Sequence, residues 1–461
     1  MKYFLPDSQD LVDPSFDFER ETRSAERIRH QHDQYAHEIF RGQGRVFDGI
    51  LVSKAIVDGT GAASQAKYSQ IQQRRLYREG VHEFFRVRNH PWGPIECMGD
   101  CGAFTYVKVD TPPFTVDDVI GFYVRCGFDY GFSVDHVIVE YKPEWEGAPS
   151  IAPARKNARR QQLSLDLQHP SAQPIAASVP EKVRARQQLT LEMAAEFFEK
   201  HKTGRLGFTP IGVAQGWGPV SYAYAFECLQ KMGYRYIALG GMVPLKTDDI
   251  LRCLEAIAAV RRPDTRIHLL GVTRFSHLTR FANLGVSSID STSPLRQAWM
   301  DDKDNYHTLE RTYTAIRVPQ VQGNFRLEAR IRSGEIDFDK ARKAEQLCLR
   351  RVEEYDTGKC KLLSVLKALR EYQELHDPEP KRDRTESARQ VLEDSPWKRC
   401  PCIVCRQLKH HVILFRGAER NRRRGFHNVA IFFQRLRMLT GETPPPEVFS
   451  RSQDVAAVTR L

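Results

Sequence analysis

The chain has 461 residues, 41% of them hydrophobic, enough for one large core or for two domains. Lysine and arginine outnumber aspartate and glutamate 69 to 58, a formal charge of +11 that suits a polyanionic partner, with basic runs at Arg155–Arg160 and Arg420–Arg424. The opening MKYFLPDSQDLVDP has no apolar stretch of signal-peptide length, and no later segment reaches the ~18 uninterrupted apolar residues of a membrane helix, so a soluble cytoplasmic protein with no membrane partner is expected.

In chain order, a possible strand at Tyr3–Leu5 precedes the polar loop Asp7–Asp13, and Gly49–Val57 and His136–Glu140 read as buried strands. The stretch from about 145 to 183 is rich in Pro, Ala, Ser, Gln and Arg and reads as an inserted mobile segment. Short apolar runs then follow at Gly207–Gln215, Tyr234–Gly241, Arg266–Val272 and Val286–Asp290. Helical patterns separate them: Pro219–Met232 is one, and Thr247, with Asp248 and Asp249 behind it, reads as the N-cap of another running to Arg262. This is the rhythm of βα units around a parallel sheet, which periodicity alone leaves open or closed. From Asp304 to about Asp394 the pattern is helical and heavily charged.

Ten cysteines are too sparse for a disulfide scaffold, and Cys400, Cys402 and Cys405 fall within six positions as CPCIVC. Three thiolates and one imidazole make a closed tetrahedral zinc site with no open position for water, hence a structural one. His410 and His411 are nearest in sequence, and His427 follows in Gly-Phe-His-Asn at the start of an apolar helical pattern.

A Cys-x-Cys-x-x-Cys cluster followed some two dozen residues later by His-Asn resembles the tRNA-guanine transglycosylase superfamily, and that spacing favours His427 as the fourth ligand. Five further segments, in order, carry the same resemblance. MGDCGAFTY (Met98–Tyr106) places Asp100 at the acid that assists base exchange, and SVDH (Ser133–His136) places Asp135 at the acid that reads the guanine edge. IGVAQG (Ile211–Gly216) brings Gln215, and ALGGMV (Ala238–Val243) brings Gly240 and Gly241. GVSSIDSTSPLR (Gly285–Arg296) sets Asp290 at the nucleophilic aspartate. The resemblance implies a (β/α)8 TIM-type barrel with a helical insertion and a C-terminal zinc-binding subdomain. The expected division is a catalytic barrel over 1–303, a charged helical module over 304–394, and a zinc-binding subdomain with a closing helix over 395–461.

FLPDSQDLVDPSFDF, GILVSKAIVDG, GDCGAFTYV and CGFDYGFSVDH are closer to the superfamily's DNA-modifying branch, the DpdA family, which inserts 7-cyano-7-deazaguanine into DNA. Asp290 and Cys400 are 110 positions apart, a longer interval than in the tRNA enzymes. The implied activity is exchange of guanine in DNA for 7-cyano-7-deazaguanine, beside a partner ATPase and later enzymes that elaborate the cyano group. The alternatives are a tRNA-guanine transglycosylase using the same residues and a catalytically silent nucleic-acid-binding subunit.

The residue types suit that chemistry. Exchanging a base without cutting the backbone needs a carboxylate to capture C1′, the part of Asp290, and a second carboxyl to protonate the departing base, the part of Asp100. Asp135 can accept from the N1–H and amine of a guanine-like base, while Gln215 and the Gly241 N–H face its O6. Phe104 or Tyr106 can sandwich the ring, and His136 reads as a packing neighbour. Lys246 stands where many bacterial tRNA enzymes carry a glutamate beside an aminomethyl cation, so a neutral cyano base is the preferred substrate.

Overall fold

A computed structural model describes residues 1–60, 65–146, 179–377 and 383–441. Eight parallel strands close on themselves in chain order: β1 Lys2–Pro6, β2 Gly49–Ser53, β3 Glu96–Asp100, β4 Tyr130–Phe132, β5 Thr209–Ala214, β6 Tyr236–Leu239, β7 Arg266–Leu269 and β8 Val286–Asp290. β8 returns to β1 with Tyr3 opposite Ile289 and Phe4 opposite Asp290. Helices follow the strands, among them Val116–Cys126, Glu181–Thr203, Pro219–Met232 and Thr247–Val260. The expected TIM-type barrel is the fold.

Side chains two positions apart on a strand share a face. Phe4, Leu51, Met98, Phe132, Ile211, Val213, Tyr236 and Ala238 accordingly meet in one buried cluster that fills the barrel. One step further along the same faces come Ser53 after Leu51, Asp100 after Met98, Gln215 after Val213 and Gly240 after Ala238. Each sits at the carboxyl end of its strand, the end where barrels of this kind carry their chemistry.

Several sequence expectations change. Of the expected strand Gly49–Val57 only Gly49–Ser53 is strand, and Lys54–Asp58 is helix. His136–Glu140 is not a strand, because its N–H groups go to side chains: His136 N–H donates to Thr190 Oγ1 at 3.0 Å and Ile138 N–H to Gln215 Oε1 at 3.2 Å. Lys246, not Thr247, is the N-cap of the helix Thr247–Val260, which ends two residues before Arg262. Residues 147–178 of the expected mobile segment, with Arg155–Arg160, lie outside the described residues, but its flanks are packed: Val179 and Val183 join Ile138 and Trp217, with Trp145 against them. Glu146 accepts from Ser221 N–H at 2.7 Å and Val220 N–H at 3.0 Å, supplying the N-terminal cap that Gly218 cannot.

The chain divides into two compact units. The first holds Met1–Ser8, Gly49–Arg88 and Pro94–Ser291; the second takes Gln9–Asp48, Asn89–Gly93 and the described residues from Thr292 onward. In the second, short strands at Tyr306–His307, Thr312–Tyr313 and Ile316–Arg317 precede the helices Phe325–Arg332, Phe338–Asp356, Leu362–His376 and Thr385–Asp394. The helix Ala418–Leu439 packs closely on Ser293–Met300: a Cβ at Gly425 would come within 2.7 Å of the Leu295 carbonyl.

Arg420–Arg424 is not an open basic surface. Arg420, Arg423 and Arg424 are buried, and Arg424 donates to the carbonyls of Val412, Leu414 and Ala298. Arg420 and Arg416 converge on Glu21, and Arg416 also reaches Glu345. Burial alone would raise the Glu21 carboxyl; the hydrogen bond from Arg416 and the charges of Arg420 and Arg416 outweigh it and bring it from 4.5 down to about 2. Such a depressed carboxylate stabilises the fold fully above its ordinary value and loses that contribution as pH falls through about 2. Arg416→Ala leaves Glu21 and Glu345 without this partner and is expected to cost about 3 kcal/mol or more. Denaturant unfolding at pH 7 checks this, and the deficit should shrink as both proteins are titrated toward pH 2.

Candidate active site and candidate metal centre

At the carboxyl ends of the barrel strands, Asp100 closes β3 and Asp290 closes β8. Asp100 is partly exposed, and its Oδ2 accepts from Ser53 Oγ, the last residue of β2, at 2.7 Å. Burial raises the Asp100 carboxyl and the negative charge of Asp290 raises it further; hydrogen bonds from Ser53 and from the Gly102 and Cys101 N–H groups only partly offset this. Gly102 makes the turn possible with φ +85, where a Cβ would also sit 2.7 Å from that of Ala55.

Asp290 is buried, with its Oδ1 held by His268 Nε2 at 3.0 Å and by Gly271 N–H at 2.9 Å. The buried Tyr3 hydroxyl donates to the next carbonyl, Ser291, at 2.7 Å, fixing the chain as it leaves the strand. His268, Tyr236 and Gly271 lie in no recognisable motif, and Ser288 lies in the Gly285–Arg296 segment without a role read for it there. The one available signal was the two-residue period, which puts Ser288 and Asp290 on the same face of β8.

Asp135 lies three residues beyond β4 and is 3% exposed. Gln215 Nε2 donates to its Oδ2 at 2.7 Å and Cys101 Sγ to its Oδ1 at 3.2 Å. Burial and the neighbouring Asp100 charge push its carboxyl up to about 7, against the pull of the Cys101 and Gln215 hydrogen bonds. Gly240 and Gly241 are needed beside Gln215: a Cβ on Gly240 would meet Gln215 Nε2 at 2.1 Å, and Gly241 has φ +71. Asp100, Asp135, Gln215, Gly240 and Gly241 therefore form one neighbourhood, joined to Asp290 through the electrostatics of Asp100. Lys246 is exposed at its helix N-cap.

Of the two aromatic candidates, Phe104 is 49% exposed, whereas Tyr106 is buried with its hydroxyl on Cys101 Sγ at 3.0 Å and the Asp135 carbonyl at 3.2 Å. Only Phe104 has a free face. His136 Nε2 meets the Val109 carbonyl at 2.8 Å, the contact of a packing residue.

In the second unit, the ligand atoms of Cys400, Cys402, Cys405 and His427 lie within 4.8 Å of one another, a group able to hold a metal ion. His427 Nδ1 is 3.3 Å from Cys402 Sγ and 3.4 Å from Cys405 Sγ, while its Nε2–H donates to the His307 carbonyl at 2.7 Å. That second contact fixes the tautomer, leaving Nδ1 as the ligand atom. Asn428 spans the same short strand, accepting from His307 N–H at 2.9 Å and donating to the Asn305 carbonyl at 3.0 Å. The Tyr306 ring stacks on His427 at 4.5 Å. His410 and His411 face elsewhere, toward Asp356 at 3.4 Å and Glu19 at 2.9 Å.

No family model matches the chain. It is 44% identical over 438 residues to a Salmonella montevideo protein named DNA-guanine transglycosylase, covering 95% of this chain and 96% of that protein. Among the described residues no helix is long and apolar enough to cross a membrane.

Elemental analysis of the purified protein is expected to give one metal ion per chain, and Cys405→Ser to abolish retention. A strong chelator should lower the thermal midpoint of the wild type by several degrees and leave Cys405→Ser unmoved.

Proposed function

The chain belongs to the guanine transglycosylase family, and from that premise we propose that it exchanges guanine in DNA for 7-cyano-7-deazaguanine through a covalent glycosyl-aspartate at Asp290. The observation that carries the reading is the pair of strand-end carboxyls in unlike settings: Asp290 as an anchored carboxylate, and Asp100 held toward its acid form by burial and by the Asp290 charge.

An Asp290 oxygen bonds to C1′ as the bond from C1′ to guanine N9 breaks, and Asp100 gives its proton to the departing base. Asp100 is then the carboxylate that takes the N9 proton of the incoming base, whose nitrogen displaces Asp290 from C1′. Asp135, Gln215 and the Gly240–Gly241 backbone hold the base by its guanine edge, and Phe104 stacks on it. For the Asp135 carboxylate to accept the N1–H and amine of the base, the Cys101 thiol turns away from it. A stacked duplex hides its guanine, so the substrate is unpaired or extruded DNA, which is where a partner ATPase fits; downstream enzymes would elaborate the cyano group. Zinc is the metal proposed for Cys400, Cys402, Cys405 and His427, as a closed structural site with no part in the exchange. The setting is the cytoplasm.

Nucleoside mass spectrometry of host DNA and tRNA checks the reading. Asp290→Ala is expected to abolish a 7-deazaguanine nucleoside in DNA alone and to lower exchange in vitro at least about 10⁴-fold; loss from tRNA alone would move the assignment to tRNA. Lys246→Glu should raise turnover of the aminomethyl base relative to the cyano base by about fivefold, in competition assays at low salt.

A further inference from the structure

Asp290 Oδ1 accepts from both His268 Nε2 and the Gly271 N–H, whereas among the described residues Oδ2 accepts from none. A carboxylate offers only acceptors, so the proton between the two side chains sits on His268 Nε2. His268 Nδ1 lies 2.6 Å from Ser288 Oγ, and Ser288 Oγ in turn meets the Tyr236 hydroxyl. Burial holds the Tyr236 phenol well above its ordinary value, so it remains a donor. Tyr236 donates to Ser288, Ser288 then has its own proton for His268 Nδ1, and His268 donates to Asp290. His268 is fully buried inside the barrel, its ring 5.3 Å from that of Phe132.

We propose that His268 is a positioning residue for the exchange: the directed chain from Tyr236 through Ser288 and His268 pins Oδ1 as the bystander oxygen and presents Oδ2 as the one that attacks C1′. This rests on Asp290 as the nucleophile. In the first half-reaction Oδ2 gives its electron pair to C1′, the electrons of the glycosidic bond go to N9, and Asp100 supplies the proton. In the second, the C1′–Oδ2 bond returns its electrons to the carboxylate, and the Nε2–H and Gly271 N–H stabilise that departing charge. His268 changes no bond and exchanges no proton with solvent in either step. Its contribution is a fixed donor, supplied without reorganisation.

The test compares the full-length wild type with His268→Phe, His268→Gln and Ser288→Ala in exchange of labelled guanine into a DNA oligonucleotide. Covalent protein–DNA adducts are trapped by denaturation and mapped by peptide mass spectrometry. His268→Phe is expected to lower kcat by about 10²–10³-fold with the KM for guanine within about threefold, as for loss of one preorganised donor. His268→Gln, which keeps an N–H, should recover about tenfold of that loss, and Ser288→Ala should fall by about tenfold. A kcat for His268→Phe within about threefold of wild type overturns the proposal, as does an equal loss in Phe and Gln variants accompanied by a matching rise in KM. Should His268→Phe not fold, Ser288→Ala decides: a kcat within about twofold of wild type overturns it. An adduct mapped to Asp290 while the variants behave as wild type sinks only the positioning role. An adduct mapped to another residue removes the nucleophile reading and this proposal together.

Discussion

Closure of a parallel sheet gives each strand one face turned into the barrel and one end opened to ligand, and the site depends on where those two coincide. Along β3 the inward face runs through Met98 to Asp100, and along β5 through Ile211 and Val213 to Gln215. The apolar members fill the barrel and the last member emerges above it. A single-residue slip in register would turn each of these groups toward the surrounding helices. The same packing that stabilises the barrel therefore sets the positions of its polar groups, and no separate scaffold is required.

Placing three carboxyls at one rim has an electrostatic cost, and the environment of each divides it unequally. Asp290 has two donors on one oxygen. Asp100 has Ser53 and two backbone N–H groups against burial and a like charge, and stays displaced toward the acid. Asp135 has an amide and a weak thiol donor, and its carboxyl is held at about 7. Burial, the neighbouring like charge and unequal hydrogen bonding together turn chemically identical side chains into groups suited to different work.

Much of this was legible in the sequence where the pattern is local. Val286–Asp290 could be bounded to the residue because a short apolar run ends on a polar one, and the cysteine cluster is compact enough to declare itself. His136–Glu140 misled for an equally local reason: Val137, Ile138 and Val139 look like strand, yet their neighbourhood takes its hydrogen bonds from the side chains of Thr190 and Gln215. What could not be read depended on distant partners. His268 in an apolar run is indistinguishable from a core histidine until Ser288, twenty residues on, is placed beside it by the pairing of β7 with β8. Arg420–Arg424 reads as a basic run suited to a polyanion because Glu21, which Arg420 shares with Arg416, is 399 residues from Arg420.

That separation governs the order in which the chain can complete itself during synthesis. The chain leaves the barrel unit after Ser8 and rejoins it at Gly49, and the intervening Gln9–Asp48 belongs with residues from the far end. At a ribosomal pace of about 5–20 residues per second, the 395 residues between Glu21 and Arg416 take roughly 20–80 s to make. Through that interval the early segment waits with Glu21 lacking Arg416 and Arg420, and with Phe40 and Phe47, buried in the finished fold, without their surroundings. The barrel strands, by contrast, arrive in spatial order and can assemble as they emerge. The nascent chain is thus exposed longest at its beginning, and chaperone binding during translation has its longest opportunity there.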